Sequence, residues 1–432
     1  MLPIHALPPM DTTSTVALQL RLEERGRLSN ERRGPFTEDN RTLAYLESEL
    51  APQVRYDLIW RHGFSHLVLL YVPRFIISDT TNIGKLQLDA PRPEEVTNQE
   101  TGEAIPGAPH QLGAFQNFGL GFEHDEKRSH FGLYQFFGYG PISNTALLVQ
   151  KPWTGEGQPP TPYPIIPANG SASFTLLFAQ TQAYQNFRLT RRVTLTPLLT
   201  FNAFGGANSD SRAKIPMTYG PGGRLSLDVK TTPVDTLKSA IGIAYVFPPL
   251  FEGERKGTEV VRGEVEERLV HQWSRLTTSE FAAGAQVAGG APFGVRLYPT
   301  AEANTTFGRD WRQSETRLSL IAKIGPWLNL LSGDVEQRLD GIAALSHRMD
   351  KTTLRAQASL GTVALTVDSV TKYRILVGQV SVAQQLTRQI SADLGMRAAD
   401  QIFSDSQRDT GSIRQFMIFG GVTVMTEPPL RL

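Results

Sequence analysis

The chain of 432 residues contains no cysteine. This absence excludes disulfide bonds, thiolate zinc sites, c-type haem attachment and a cysteine nucleophile within the chain. It is compatible with an oxidising compartment such as the periplasm, without being diagnostic of one. Any catalytic or binding chemistry must therefore come from other residue types.

Long apolar runs and a large net charge are missing as well. The chain is 40% hydrophobic, with a mean hydropathy of −0.22 and a formal net charge of +1. No stretch approaches the ~18–20 apolar residues of a transmembrane helix. The near-neutral balance argues against nucleic acid as a partner, because proteins that bind nucleic acid carry a basic footprint.

Motifs for cofactors, metals and catalysis are also absent. The sequence has no GxGxxG, Walker A, HExxH or EF-hand spacing, so no cofactor and no metal site are predicted. Serine and histidine are adjacent in Ser65-His66, Ser129-His130 and Ser346-His347, which places the two side chains on opposite faces of a strand. The run Glu123-His124-Asp125-Glu126 is interpreted as a solvated hairpin tip, with a divalent-cation site as its alternative. We therefore predict that the protein is not an enzyme.

The most informative pattern that is present is strict alternation of apolar and polar residues. In Arg188–Phe201, apolar side chains occupy the odd positions except Arg191, and arginine or threonine occupies every even position except Leu198. The alternation lasts about fourteen residues, whereas an ordinary strand has ~5–6. A strand that crosses a bilayer at a tilt needs about 9–11 residues plus its extensions. The length therefore favours a transmembrane β-strand.

The same pattern recurs in Gly223–Thr231, Val260–Trp273 and Val335–Arg348. Charges of both signs share the polar face, which suits a wet lumen in which they pair or hydrate. We predict a closed antiparallel transmembrane β-barrel rather than a soluble all-β protein with a solvated sheet face. The residues predicted to line the lumen are Arg188, Arg192, Arg262, Glu264, Glu266, Arg268, Glu336, Arg338 and Asp340. The residues predicted to face lipid are Leu189, Leu195, Val265, Leu339 and Leu345.

About eighteen strand candidates, within a range of 16–20, follow one another along the chain. Residues 42–50 also fit a short amphipathic helix, but alternation resumes at Val54, and a strand is the preferred interpretation. Short polar connections alternate with long ones rich in Pro, Gly and Asn, which predicts periplasmic turns on one rim and extracellular loops on the other. The predicted organisation is an N-terminal segment 1–13, a single barrel 14–426 and a C-terminal tail 427–432.

Three prolines lie inside strand candidates, namely Pro73, Pro197 and Pro299. Proline has no backbone donor for a strand ladder and is normally confined to edges and bulges. Because a closed barrel has no edges, each proline is predicted to mark a bulge or a strand end near a rim.

The strand candidate 63–77 is apolar on both faces. Leu67 and Leu69 share a face with Ser65 and Tyr71, and this face is interpreted as the inner one. Apolar side chains facing an aqueous lumen predict that a plug covers them, such as a folded-in loop or an N-terminal segment. The loops considered as plugs are Asp89–His110 and Lys151–Gly170.

The closing strand Phe416–Met425, FMIFGGVTVM, and the segment Tyr71-Val72-Pro73-Arg74-Phe75 resemble those of outer-membrane β-barrel proteins of the myxobacterial and deltaproteobacterial type. Gly420 and Gly421, followed by alternating valines, also resemble a barrel-assembly signal. The chain departs from that signal in its tail, TEPPLRL, because a typical signal ends in Phe or Trp. The resemblance implies an outer-membrane location and, for some members, a part in envelope-spanning machines such as exopolysaccharide secretion.

Together these features predict an outer-membrane pore or conduit for polar solutes or polymers, either passive or embedded in an export system. The alternative is a plugged, non-conducting barrel that scaffolds an envelope or surface complex, and a barrel hydrolase comes third. Outer-membrane lipid and lipopolysaccharide are the expected surroundings, and periplasmic or envelope proteins are candidate partners.

The first ten residues, MLPIHALPPM, lack the charged start and apolar core of a signal peptide. We interpret the sequence as a mature form or as a gene model that starts late. The alternative interpretation is a cytoplasmic protein.

Overall fold

The computed structural model describes residues 12–32, 41–60, 64–82, 110–143, 173–214, 217–247, 259–290, 294–328, 335–364, 371–405, 410–426 and 430–431. The strands are β1 (Thr12–Arg32), β2 (Arg41–Trp60), β3 (Ser65–Tyr71), β4 (Arg74–Asn82), β5 (His110–Asp125), β6 (Ser129–Ser143), β7 (Ser173–Arg188), β8 (Val193–Gly206), β9 (Thr218–Lys230), β10 (Asp235–Val246), β11 (Val260–Gln272), β12 (Thr278–Gly290), β13 (Gly294–Asp310), β14 (Ser314–Leu328), β15 (Val335–Met349), β16 (Thr352–Ala364), β17 (Thr371–Gln385), β18 (Ile390–Asp405), β19 (Thr410–Met425) and β20 (Leu430–Arg431). One short helix, α1, spans Ser209–Lys214. Among the described residues, no helix is long and apolar enough to cross a membrane.

The strands form one closed antiparallel barrel. Strands that follow one another in the wall pair along the chain, and the sheet closes where β1 pairs with β19, with Leu22 opposite Val422. β3 and β4 both pair with β2 and with β5 in one common register, so they act as a single wall strand and the wall has eighteen strands. The predicted fold class and the pairing of the terminal strands are confirmed. β20 lies beside β1, with Leu430 opposite Val16.

Side chains alternate between an outer and an inner face of this wall, as strand geometry requires. In β1, Leu18, Leu20 and Leu22 are exposed on one face, and Arg21 lies on the other. Arg21 forms an ion pair with Asp393, which is two strands away on β18. Side chains from such strands converge on the concave side of a closed sheet, so the charged face is the inner face.

The two rims of the barrel are built differently. One rim carries tight turns, such as Asp350-Lys351 between β15 and β16 and residues 386–389 between β17 and β18. On the other rim, α1 follows β8, and the side chain of Asn208 caps it by accepting a 2.9 Å hydrogen bond from Ser211 N. The assignment of the tight turns to the periplasmic side stays a prediction.

The predicted strand 187–201 is wrong at its start. β7 ends at Arg188 and β8 begins at Val193, and the turn between them is closed by hydrogen bonds from Leu189 N and Thr190 N to Val193 O at 3.0 and 3.2 Å. The hydroxyl of Thr190 also accepts a 3.1 Å hydrogen bond from Val193 N. A threonine that bonds the backbone locally favours a turn over a strand. Arg191 also breaks the alternation of polarity at this place.

The interpretation of the face that carries Leu67 and Leu69 is also wrong. Leu67 pairs with Leu58 and Leu69 pairs with Tyr56, and these partners continue the outer face of β2. Leu69 is 41% exposed there. The side chains that β3 directs inward are those of His66, Val68 and Leu70, so two apolar residues still face the lumen and the plug stays a prediction.

Ser65 and Tyr71, the polar neighbours of these leucines, suggested that their face is the inner one. Both residues in fact form hydrogen bonds with partners on the outer face. Ser65 Oγ lies 2.7 Å from His124 Nδ1, and the Tyr71 hydroxyl donates to Gln116 Oε1 at 2.5 Å. A polar residue that a cross-strand partner satisfies does not need water, and so does not mark a lumen. The loop segments considered as plugs, 89–109 and 151–170, lie outside the described residues.

Prolines interrupt the strand ladders. Pro73 separates β3 from β4 in the middle of the wall strand that they form together, and not at a bulge or near a rim as predicted. Val72 N still donates to Asn117 O at 2.9 Å. Pro197 lies where pairing between β7 and β8 is interrupted, and the register is the same on both sides of the interruption. The missing donor therefore weakens the ladder at Pro197 without producing a bulge.

The third proline ends a ladder at the rim opposite the tight turns. Pairing between β13 and β14 stops at Ala301 and Ile324, and in the same register Pro299 faces Pro326, so neither residue can donate across the seam. The side chain of Gln337, on β15, donates to Pro299 O at 2.8 Å. A side chain thus bridges the place where the backbone ladder between β13 and β14 ends.

Candidate functional site on the inner face of the barrel

The structure brings four of the predicted lumen residues together on β11. Arg262, Glu264, Glu266 and Arg268 occupy alternate positions and share the inner face. Val265 lies between them on the outer face and is 55% exposed. Their placement follows from the period of two along a regular strand.

Two further predicted lumen residues, Arg338 and Asp340, lie on the inner face of β15. They are joined by an ion pair of 2.6 Å between Arg338 Nε and Asp340 Oδ1. Leu339 and Leu345 lie exposed on the outer face of the same strand. Glu336 belongs to β15, but its side chain lies outside the described residues.

The remaining predicted residues lie at or near the turn between β7 and β8. Arg188 ends β7, whereas Leu189 and Arg192 belong to the turn, and all three are exposed. Leu195 is half-buried on the outer face of β8, opposite Leu227. The lumen-lining role of the predicted set as a whole stays a prediction.

A group of ion pairs surrounds the residues of β11. We call it the open network, and its members are Arg224, Glu264, Glu266, Arg268, Glu280 and Glu302. Arg268 Nη1 lies 2.9 Å from Glu280 and 3.4 Å from Glu302, on the two strands that follow β11. Arg224 Nη2, from β9, lies 3.1 Å from Glu266. Since it has four carboxylates and two arginines, this network is acidic.

A second group of ion pairs spans β18, β1, β2 and β4. We call it the buried network, and its members are Arg21, Glu23, Arg25, Glu47, Glu49, Arg74 and Asp393. Arg25 bonds Glu23 and Glu49 at 2.6 Å each and also bonds Glu47. Arg74 grips both oxygens of Glu49 at 2.5 and 2.6 Å. These paired, charge-assisted contacts hold the carboxylates in fixed positions.

Sequence reasoning missed the buried network. Its signal is present in β1, where Arg21, Glu23, Arg25 and Arg27 alternate with mostly apolar residues. Glu24 breaks that alternation, because it lies on the outer face and accepts a 2.6 Å hydrogen bond from Ser48. Because of this one polar residue on the apolar face, the alternation does not show that β1 continues to Arg32.

The nearest approach to a catalytic pair lies on the outer face at the rim of tight turns. Ser65 Oγ contacts His124 Nδ1, and Nε2 of the same ring lies 3.7 Å from Glu126, whose side chain is 65% exposed. This pair lacks the buried, hydrogen-bonded acid that orients a catalytic histidine. Among the described residues, no group of three or more His, Asp or Glu side chains is placed to hold a metal ion.

No protein-family model and no curated protein matches the sequence. Among solved structures, OccK7 (OpdD) of Pseudomonas aeruginosa is 8% identical with a TM-score of 0.48, and the match covers 96% of this chain and 100% of that chain. A BenF-like porin of Pseudomonas fluorescens Pf-5 is 10% identical with a TM-score of 0.44, and the match covers 97% and 99%. At these values the likeness supports no inference about cargo, and the barrel rests on the strand pairing described above.

Proposed function

We propose that the protein is an outer-membrane pore or conduit for polar solutes. The observation that carries the proposal is the opposite character of the two faces of a closed eighteen-strand wall. Exposed aliphatic side chains cover the outer face, which suits lipid, and ion-pair networks lie on the inner face, which suits water. At about eighteen strands, the bore of a barrel exceeds what the wall's own side chains fill.

The proposed location is the bacterial outer membrane, with lipopolysaccharide and lipid around the barrel. Closed barrels satisfy every backbone polar group within the wall, which hydrocarbon surroundings require. The resemblance of the closing strand to outer-membrane barrels of the myxobacterial type supports the same location. A finer proposal, supported by that resemblance alone, is a role in an envelope-spanning export system such as polysaccharide secretion.

Ion conductance tests the pore directly. Purified protein reconstituted into a planar lipid bilayer is expected to give stepwise current increases in KCl. Folding is checked beforehand by heat modifiability on a gel, which distinguishes a closed barrel from an unfolded chain. A folded protein that inserts and passes no current would overturn the proposal.

The assignment of the two faces has its own test. In Val265→Cys and Glu266→Cys, neighbouring residues of β11 offer a thiol to opposite faces. We expect a lipid-soluble maleimide to label the first and a membrane-impermeant maleimide to label the second. If both reagents label the two variants alike, the inner and outer faces are assigned wrongly.

A plugged scaffold barrel is the second candidate, and burial on one side of the inner face favours it. Ile375 on β17 and Ile413 on β19 point inward and are 0% and 1% exposed. Arg25 and Glu47 nearby are almost fully covered as well. Covered inner side chains suit a barrel whose role is to hold partners rather than to conduct, and absence of current from folded protein would favour it.

A further inference from the structure

One sector of the inner wall, formed by β6, β7 and β8, carries almost no formal charge. Apart from Arg188 at the turn, none of the described inner positions of these three strands holds Asp, Glu, Lys or Arg. The neighbouring strand β9 resumes with Arg224 and Asp228, which belong to ion pairs. A neutral strip therefore runs along the barrel beside the open network.

Aromatic rings cover the glycines of this sector. A Cβ placed on Gly132 would lie 2.5 Å from the ring of Tyr184, and one on Gly138 would lie 2.1 Å from the ring of Phe178. The ring of Phe136 lies over Gly119 in the same way, at 3.4 Å. Each ring rests on the backbone of a neighbouring strand because no side chain separates them. These rings therefore pack closely against the wall on its inner side.

The rings are also aligned with one another. Tyr134 and Tyr184 have centroids 6.1 Å apart and planes that differ by 19°. Phe115 and Phe178 have centroids 6.0 Å apart and planes that differ by 16°. Phe136, on the inner face between these two pairs, is 41% exposed. The sector thus has a series of aromatic rings along the barrel, and the rings within each pair have similar planes.

Amide side chains lie beside these aromatic rings on the inner face. In the register of the sheet, Phe136 is followed by Gln180 and Asn202, and Tyr134 is followed by Gln182. Among the described residues, these three amides form no hydrogen bond within the protein, although Asn202 is exposed and the other two are half-buried. Each amide keeps donors and an acceptor free for a ligand.

The combination selects a class of ligand. A hydrocarbon would cover the amides without satisfying their hydrogen bonds, which costs free energy. Within β6–β8 a strongly charged solute would find no charged group except Arg188, and the flanking carboxylate of Glu123 on β5 already accepts a hydrogen bond from the Tyr134 hydroxyl. The ion-pair networks on either side offer several charged groups. A neutral saccharide matches both the rings and the amides. The apolar C–H faces of a sugar ring stack on aromatic rings, and its hydroxyl groups form hydrogen bonds with amides.

We propose that the inner surface of β6–β8 is a binding track for neutral saccharides, on which sugar rings stack on Tyr134, Phe136, Phe178 and Tyr184 while their hydroxyl groups bond Gln180, Gln182 and Asn202. The track names the substrate class of the pore and therefore rests on the proposed function. It places recognition in the sector of the wall that lacks charge.

Ligand block of the ion current tests the track. Maltohexaose and cellohexaose, added to the bilayer chamber of the wild-type barrel, are expected to reduce the current in a saturable way. Polyethylene glycol of similar mass is expected to reduce it only in proportion to bulk conductivity. Absence of saturable block by either sugar, in a barrel that does conduct, overturns the track and leaves the pore intact.

Variants assign the block to the rings and the amides. Phe136→Ala combined with Tyr184→Ala is expected to weaken saccharide block about tenfold or more, the size expected for the loss of two stacking contacts. Phe137→Ala combined with Tyr139→Ala is the matched control, because these residues lie on the outer face of the same strand and should leave the block unchanged. Equal block in both double variants overturns the track.

Two further measurements keep the test decisive. If the ring variant fails to fold, Gln180→Ala combined with Gln182→Ala removes only amides and should weaken block severalfold, and unchanged block in that folded variant overturns the track. If the wild-type barrel passes no current, the proposed pore fails on its own. Saturation-transfer NMR with maltohexaose in detergent then tests the track, and absence of transfer overturns it.

Discussion

The buried network and the open network use the same residue types in opposite surroundings. In the buried network, the side chains of Arg25, Glu47 and Glu49 are 4%, 1% and 7% exposed. In the open network, the side chains of Arg224 and Glu264 are 36% and 34% exposed, and their ion pair measures 3.3 Å. The centre of the buried network is covered and held by short contacts, whereas Arg224 and Glu264 in the open network are more exposed and more loosely paired.

The contrast teaches that charge on the inner wall has two separate roles. Ion pairs removed from water must stay complete, because an uncompensated buried charge costs several kcal/mol. Exposed pairs contribute little to stability, since water screens them and their side chains keep their freedom. We therefore expect the buried network to hold the wall together where β1 closes the barrel, and the open network to act on ions that pass it.

The largest expected effect is on stability, from Arg25→Met. This change removes the cation that three carboxylates share, so we expect the free energy of unfolding to fall by about 3–5 kcal/mol. Urea unfolding in detergent, followed by tryptophan fluorescence, measures the loss. Arg224→Met is the matched control in the open network, because its side chain is 36% exposed, and equal losses in the two variants would remove the distinction between the networks.

The next effect is on ion selectivity, from Arg268→Gln. The variant removes one of the two arginines of the open network, so the local potential becomes more negative and the passage of cations is favoured. The reversal potential in a tenfold KCl gradient is expected to shift toward that of potassium. Arg224→Gln should shift it in the same direction, and a shift toward chloride in either variant would contradict this assignment.

The smallest effect is on how the loss of unfolding free energy in the two methionine variants depends on salt concentration. At 1 M salt the screening length is about 3 Å, so exposed ion pairs lose most of their attraction. Arg224→Met should therefore lower the free energy of unfolding by less than about 1 kcal/mol at low salt and by almost nothing at 1 M KCl. The loss in Arg25→Met should stay nearly constant, and a loss that fades equally with salt would show that water reaches the buried network.

Much of the wall could be predicted from the sequence, because a strand that separates lipid from water must alternate in polarity. Residues of β11 illustrate this, since Glu264 and Glu266 share one face and Val265 takes the other. The turn after Arg188 did have a signal in the sequence, because the consecutive polar residues Thr190, Arg191 and Arg192 interrupt the alternation there. Local hydrogen bonds from Thr190 decide that position.

The candidate site was less predictable than the wall. The pairing of Arg25 with Glu47 and Glu49 depends on the register between β1 and β2, which alternation does not specify. The inward direction of Val68 and the outward direction of Leu67 depend on the register of β3 in the same way. The aromatic sector could not be recognised from the sequence either. Tyr134 and Phe136 of β6 lie over glycines of β5, and this contact depends on the register between the two strands.

The lack of charge in β6, β7 and β8 has a consequence for the chain before it folds. Residues 173–187, SFTLLFAQTQAYQNF, contain no charged residue and no proline. Segments of this kind aggregate readily when they are exposed in water, unless charged gatekeepers flank them closely. Here the nearest flanking charges are Arg188 and, in the next turn, Arg191 and Arg192. The same lack of charge that suits a neutral solute thus makes this segment prone to aggregation before folding, so we expect the unfolded chain to need a holding chaperone until its strands are paired.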